Sequence, residues 1–283
     1  MNTIQYLFFS FLLFSCGSTQ KTEVIIPKND DTVVTKKVEK MITSKDTIVT
    51  IGKTAVWIKS PDGDINADIL ILPGWNFAKE KICKESDFCS KGLAKGYRLI
   101  LPEMMKSVYA SQYYPETRAD YKAFLTLTWV TDTMIPALQK DYGLFMTKNN
   151  FLHGISTGSR GAALVHLNTG DLFTKVVLLS GDYNNGEIPT DNLMKNTYGP
   201  FSQFKDRWIS NDNPWEQSSK WTADLYIAHG TTDDVVPVEQ SQRFAEKIQK
   251  EHPGIKFVSN FPESKHDFAF WGGETDAILK FLE

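Results

Sequence analysis

Six short apolar runs recur between residues 69 and 258: Ile69-Leu70-Ile71-Leu72, Tyr97-Arg98-Leu99-Ile100-Leu101, Phe151-Leu152-His153, Val176-Val177-Leu178-Leu179, Leu225-Tyr226-Ile227-Ala228 and Phe257-Val258. Such runs, each bounded by polar or turn residues, read as strands buried on both faces. Helical spacing fills most of the gaps. Residues 118–140 carry Phe124, Leu127, Val130, Met134 and Leu138 near one helical face, and residues 238–251 and 274–282 read the same way. Strands alternating with helices predict an α/β chain, a mostly parallel central sheet with helices on both faces and right-handed crossovers. Ahead of it, Thr47-Ile48-Val49-Thr50-Ile51 and Thr54-Ala55-Val56-Trp57-Ile58 alternate and are β-branched, which predicts a hairpin of edge strands. Ligands of such sheets bind beyond the carboxyl ends of the strands. The residues after each run are therefore the ones to inspect.

With 283 residues and 41% hydrophobic content, the chain can bury one large core without a disulfide scaffold or a structural metal. A net charge of −3 argues against nucleic acid as the main partner. Of the three cysteines, Cys16, Cys83 and Cys89, none has metal-ligand spacing, so no metal or organic cofactor is implied. Cys83 and Cys89 lie six residues apart, poor spacing for one helical face. A disulfide formed in an oxidising compartment and a pair of buried thiols are both open.

The chain starts with an apolar run, residues 7–14, that is too short to span a bilayer and has the length of a signal-peptide core. Leu13-Phe14-Ser15-Cys16-Gly17 resembles the lipobox of bacterial lipoproteins, although Phe14 is bulky for its place and no Lys or Arg precedes the run. The resemblance implies a signal peptide over 1–16, lipidation at Cys16 and a membrane-anchored protein of the bacterial cell envelope. Residues 17–46 are rich in Thr, Lys, Asp and Ser and are expected to form a flexible tether. A catalytic domain is expected over 47–283.

After the third run comes Gly154-Ile155-Ser156-Thr157-Gly158, followed by a helical stretch. A G-x-S-x-G turn between strand and helix holds its serine on a strained backbone. The small flanking residues let strand and helix pack closely, and the serine oxygen stands above the sheet. Ser156 is the candidate nucleophile, and Ser159, one turn into the helix, is read as packing. After the fifth run, His229-Gly230-Thr231-Thr232-Asp233-Asp234-Val235-Val236-Pro237 resembles the acid loop of α/β-hydrolases. That resemblance assigns the triad acid to Asp233 by motif position, with Asp234 the adjacent alternative, and treats His229 as structural. His266, in the loop before the last helix, completes the order Ser, Asp, His of this fold. The other histidines, 153, 166, 229 and 252, lie in strands, in helices or in the acid loop.

Leu72-Pro73-Gly74-Trp75-Asn76 follows the first run. In the α/β-hydrolase family this loop and the residue after the nucleophile donate the oxyanion-hole N–H groups. The resemblance thus implies Trp75 and Thr157, with Asn76 as an alternative to Trp75.

The resemblance spans roughly residues 51–283 and implies an α/β-hydrolase fold with a small aromatic-rich cap over residues 198–221. Tyr198-Gly199-Pro200-Phe201, Arg207-Trp208 and Asn213-Pro214 are similar to segments of esterases of the S-formylglutathione hydrolase and feruloyl or acetylxylan esterase kind. The expected activity is hydrolysis of carboxylic esters, small or glycan-borne, through an acyl-enzyme. Tyr109, Tyr113, Tyr114 and the cap aromatics are open between rim contacts to sugar or aryl groups and simple packing. Two alternatives stand beside this reading. One is a serine peptidase of prolyl-oligopeptidase type, for which the chain is short. The other is a non-catalytic binding lipoprotein, which the intact Ser, Asp and His disfavour.

Overall fold

The computed structural model describes residues 23–27, 33–37, 45–210 and 212–283. The strands are β1 (Glu23–Pro27), β2 (Val33–Lys37), β3 (Asp46–Ile51), β4 (Thr54–Lys59), β5 (Ala67–Leu72), β6 (Tyr97–Pro102), β7 (Asn150–Ile155), β8 (Lys175–Leu179), β9 (Asp224–Ala228) and β10 (Phe257–Asn260). The helices are α1 (Lys81–Glu85), α2 (Phe88–Ala94), α3 (Ile135–Tyr142), α4 (Thr157–Thr169), α5 (Asn192–Tyr198), α6 (Phe201–Ile209), α7 (Pro214–Gln217), α8 (Val238–Glu251), α9 (Phe268–Gly273) and α10 (Thr275–Leu282).

Eight strands form one sheet in the order β10-β9-β8-β7-β5-β6-β4-β3. The β3–β4 and β4–β6 pairs are antiparallel and all others are parallel. All six apolar runs and the edge hairpin are thus strands where the sequence placed them. From β5 the chain steps to one side for β6 and returns to the other side for β7. The strand order therefore reverses at β5, and a cleft opens beyond the carboxyl ends of β5 and β7.

The alternation of strand residues divides the core into two layers. One face, with Leu70, Leu72, Leu152, Val176, Leu178 and Ile227, packs against Leu138 of α3, Ala162 of α4 and Phe244 of α8. The other, with Ile69, Ile71, Phe151, Val177 and Leu179, packs against Phe88 of α2, Trp271 of α9 and Ile278 of α10. Each fully buried Leu, Ile or Val contributes about 1.5–3 kcal/mol. A third cluster joins Val108, from the loop after β6, to Tyr198 and Trp208 of the helices between β8 and β9.

Several expectations are corrected. Within the segment read as a tether, β1 and β2 pair antiparallel as a separate two-stranded sheet. Their β-branched residues, Val24, Ile25, Val33 and Val34, suit that pairing. Residues 1–16, with the lipobox cysteine Cys16, lie outside the described residues. The single helix expected over 118–140 is broken into a 3₁₀ turn at Tyr121–Ala123, a π-helical turn at Trp129–Met134 and α3. Pro136, in the first turn of α3, lacks the N–H that an unbroken α-helix requires. Thr126 starts the helical stretch by accepting the Trp129 N–H at its Oγ1, 3.1 Å away.

Cys83 and Cys89 form a disulfide between α1 and α2. Among the described residues, no helix is long and apolar enough to cross a membrane.

Candidate active site

Ser156 follows β7 directly and precedes α4, with φ 57° and ψ −124°. This backbone is strained for a residue with a Cβ, and the surrounding packing holds it there. The Ser156 N–H donates to the Leu179 carbonyl across the sheet, at 2.8 Å. The two glycines are required by contact. A Cβ on Gly154 would meet the Gly158 carbonyl oxygen at 2.3 Å, and one on Gly158 would meet the Leu72 carbonyl oxygen at 2.2 Å. Ser159 is fully buried and bonds the Tyr183 hydroxyl at 2.8 Å, the packing role expected of it.

The acid and histidine loops are fastened together. Thr231 donates its N–H to the Pro262 carbonyl at 2.8 Å, and Thr232 donates its N–H to the Ser264 carbonyl at 3.1 Å. Their backbones approach so closely that a Cβ on Gly230 would lie 2.0 Å from the Ser264 oxygen. This brings His266 Nδ1 to 2.6 Å from Asp233 Oδ2 and His266 Nε2 to 2.9 Å from Ser156 Oγ. Trp271 of α9 stands edge-on to the His266 ring at 5.0 Å between centroids, which fixes its plane. The three residues named from sequence therefore form one hydrogen-bonded chain. Asp234 is exposed, so geometry selects Asp233 as the acid of that chain.

Asp233 is held as an anion. Burial alone would raise its pKa, but hydrogen bonds from His229, His266 and the Val236 backbone outweigh burial and hold the carboxyl well below the usual range. The N–H groups of Val235 and Val236 reach its Oδ1 at 2.8 and 2.9 Å.

The oxyanion alternatives are separated by hydrogen bonding. The Asn76 N–H is already donated to the Met105 carbonyl at 2.7 Å. The backbone N–H groups of Trp75 and Thr157 meet no protein acceptor among the described residues, and both residues line the cavity at Ser156. Tyr109 steadies the Trp75 loop by donating its hydroxyl to the Pro73 carbonyl at 2.8 Å, with its ring against Gly161. Tyr109 is fully buried, so it is a support and not a rim residue. Likewise Tyr198 and Trp208 pack the cap, and Trp221 packs the main core.

A cavity of about 250 Å³ opens at Ser156 and His266. Its aromatic walls are Trp75 and Phe77, and Ile188, Leu193, Val235, Val236 and Pro237 make it largely apolar. Its polar side holds Asp182, in the loop after β8 that the sequence already suggests as a site rim, with Arg160 and Asp191, which sequence reasoning left without a role. Arg160 is fully buried, pairs with Asp182 and donates to the Val108 carbonyl at 2.6 Å, joining α4 to the loops after β6 and β8 beneath the cavity. The clue was an arginine four residues after the nucleophile, inside an otherwise small and apolar helix.

The remaining histidines are elsewhere. His153 and His166 are buried in the core and His252 bonds the Ser218 carbonyl. Among the described residues no cluster could hold a metal ion.

A model of the prolyl oligopeptidase family matches residues 133–283, more than half of the chain and the part that carries Ser156, Asp233 and His266. The chain belongs to the prolyl oligopeptidase family. No curated protein matches it. Solved structures similar to this family member include three from two organisms. Fluorophosphonate-binding serine hydrolase F of Staphylococcus aureus is 16% identical with a TM-score of 0.66, the match covering 85% of this chain and 100% of that one. S-formylglutathione hydrolase of the same organism is 18% identical with a TM-score of 0.62, covering 85% and 100%. Acylaminoacyl peptidase of Pyrococcus horikoshii is 14% identical with a TM-score of 0.62, covering 84% of this chain and 40% of that one. At these identities the likeness establishes the α/β-hydrolase fold.

Proposed function

We propose that this family member is a serine esterase that cleaves short carboxylic esters, free or glycan-borne, through an acyl-enzyme. The observation that carries the reading is the continuous Asp233–His266–Ser156 hydrogen-bonded chain at the mouth of a small, mostly apolar cavity. In this reading Ser156 Oγ attacks the ester carbonyl and passes its proton to His266 Nε2. The negative oxygen of the tetrahedral intermediate accepts from the Trp75 and Thr157 N–H groups, an interaction worth about 3–4 kcal/mol per donor. His266 then protonates the departing alcohol, and water, activated by the same histidine, releases the acid. Asp233, anionic throughout, fixes the histidine tautomer and stabilises its imidazolium form.

A cavity of about 250 Å³ favours a short acyl or aryl-acyl group over a long fatty chain. Family membership favours a second reading, a peptidase. Turnover of p-nitrophenyl acetate, butyrate and dodecanoate, measured beside peptide p-nitroanilides, separates them. Short esters should exceed both the long ester and the anilides by about 100-fold in kcat/KM. Anilides cleaved as well as acetate would establish the peptidase instead.

We further propose that the protein is exported and lipid-anchored through Cys16 in the bacterial envelope. The lipobox-like sequence supports this, and so does the Cys83–Cys89 disulfide, which suits an oxidising compartment. Labelled palmitate should enter the wild type and not Cys16→Ala. Equal labelling of both would refute the anchor.

A further inference from the structure

The triad acid is approached from two sides. His266 Nδ1 reaches Asp233 Oδ2 at 2.6 Å, and His229 Nε2 reaches the same oxygen at 3.0 Å. His229 follows β9 and has no exposed surface. Its Nε2 is also 3.0 Å from the Val236 carbonyl oxygen, so that nitrogen faces two acceptors and carries the ring proton. Its Nδ1 lies 2.7 Å from Ser241 Oγ of α8 and accepts the serine hydroxyl. The carboxylate accepts the Val235 and Val236 N–H groups on Oδ1 and the His266 Nδ1–H on Oδ2, and the His229 Nε2–H, bonded to the Val236 carbonyl, stands 3.0 Å from Oδ2 as a further, shared donor.

We propose that His229 is a positioning residue for the catalytic acid: its Nε2–H holds Asp233 Oδ2 in line with His266 and weakens the carboxylate's pull on the His266 proton. The inference rests on the triad reading above. A carboxylate that shares its charge among more donors stabilises an imidazolium less. Removal of the His229 donor therefore moves the acid limb of kcat/KM to higher pH. The other groups around His266 are unchanged by that substitution. They are Ser156, Trp271, Asp234 on the acid loop, Lys265 and Asp267 beside it in sequence, and Arg160, Asp182 and Asp191 across the cavity. The Asp267 carboxylate is occupied by the Phe270 N–H at 3.0 Å.

A purely structural His229, tying the acid loop to α8, would alter stability without moving that limb. The test compares the kcat/KM pH profiles of wild type, His229→Leu and His229→Gln. Leucine removes the donor, whereas the glutamine amide can donate to Asp233 and accept from Ser241. His229→Leu should raise the acid-limb pKa by about half a unit or more and lower kcat about tenfold, with KM within about threefold. His229→Gln should return the limb to within about 0.2 units of wild type. An unmoved limb in a folded His229→Leu overturns the proposal. The ¹⁵N shifts of His229 in the wild-type protein test it without any variant. A protonated Nε2 and an accepting Nδ1 are expected, and a proton on Nδ1 alone overturns it. Fluorophosphonate labelling of Ser156 is the control: absence of label defeats the triad reading itself, whereas label with an unmoved limb defeats only the role of His229.

Discussion

His153 makes the fold sensitive to acid in a way that can be measured. It lies in β7, three residues before Ser156, in register with Ile71 of β5 and Val177 of β8. It is almost fully buried against the Phe88 ring, and its Nδ1 has no partner. Burial pushes its pKa from 6.5 down to about 3. The folded protein therefore keeps this ring neutral while the unfolded chain protonates it near pH 6.5. A depressed folded pKa means that the stabilisation is complete above the unfolded pKa and is lost as pH falls from 6.5 toward 3. Between about pH 7.5 and about pH 5 the loss from this one group is about 2 kcal/mol. His153→Leu keeps a similar volume, removes the unsatisfied nitrogen and removes that loss. His166, pushed by burial to about 4, adds a similar acid sensitivity, but it is common to both proteins and cancels in the difference. Urea unfolding of wild type and His153→Leu at the two pH values gives the quantity directly. The variant should lose about 2 kcal/mol less than wild type on acidification. Equal losses would refute the reasoning.

Asp233→Asn should lower kcat by about 10⁴ with KM little changed, because the amide presents its N–H to His266 Nδ1 and imposes the wrong tautomer; steady-state kinetics on a short ester would show it, and a drop below tenfold would contradict it. Arg160→Met leaves Asp182 buried without its cation and should destabilise the fold by about 3–5 kcal/mol in urea melts. The double variant with Asp182→Asn should recover part of that loss. Cys83→Ser opens a short covalent loop and should cost about 2 kcal/mol of stability, read as a lower melting temperature that matches the reduced wild type.

Much of the fold was legible because its signals are local. Each central strand carries a continuous apolar run, and the α8 and α10 segments keep helical spacing throughout. The break within residues 118–140 was not legible, because apolar spacing passes through Pro136 without registering the missing N–H. Ser156 and Asp233 were readable because a strained turn and a loop motif constrain backbone and residue type together, and His266 was readable by elimination and chain order. What surrounds them was less so. Asp182 follows a strand and so reads as a rim residue, but Arg160 and Asp191 join it at the cavity only after α4, the β8 loop and α5 have folded together, and nothing local marks that meeting. His229 was read as structural from the acid-loop resemblance, and its sequence neighbours give no sign that its Nε2 approaches Asp233. The aromatic cap stayed open between rim and packing, since abundance of Trp and Tyr does not say which rings face a cavity. Tyr198 and Trp208 pack against one another in the third cluster instead.

The central claim is that Ser156 is an activated nucleophile. The most direct measurement is covalent labelling by a fluorophosphonate, with the modified residue located by mass spectrometry. A single phosphonate on Ser156 in the wild type is predicted, with none on Ser156→Ala and labelling of His266→Ala slowed by about 10³ or more. Modification at Ser159, or none in folded wild-type protein, would contradict the account.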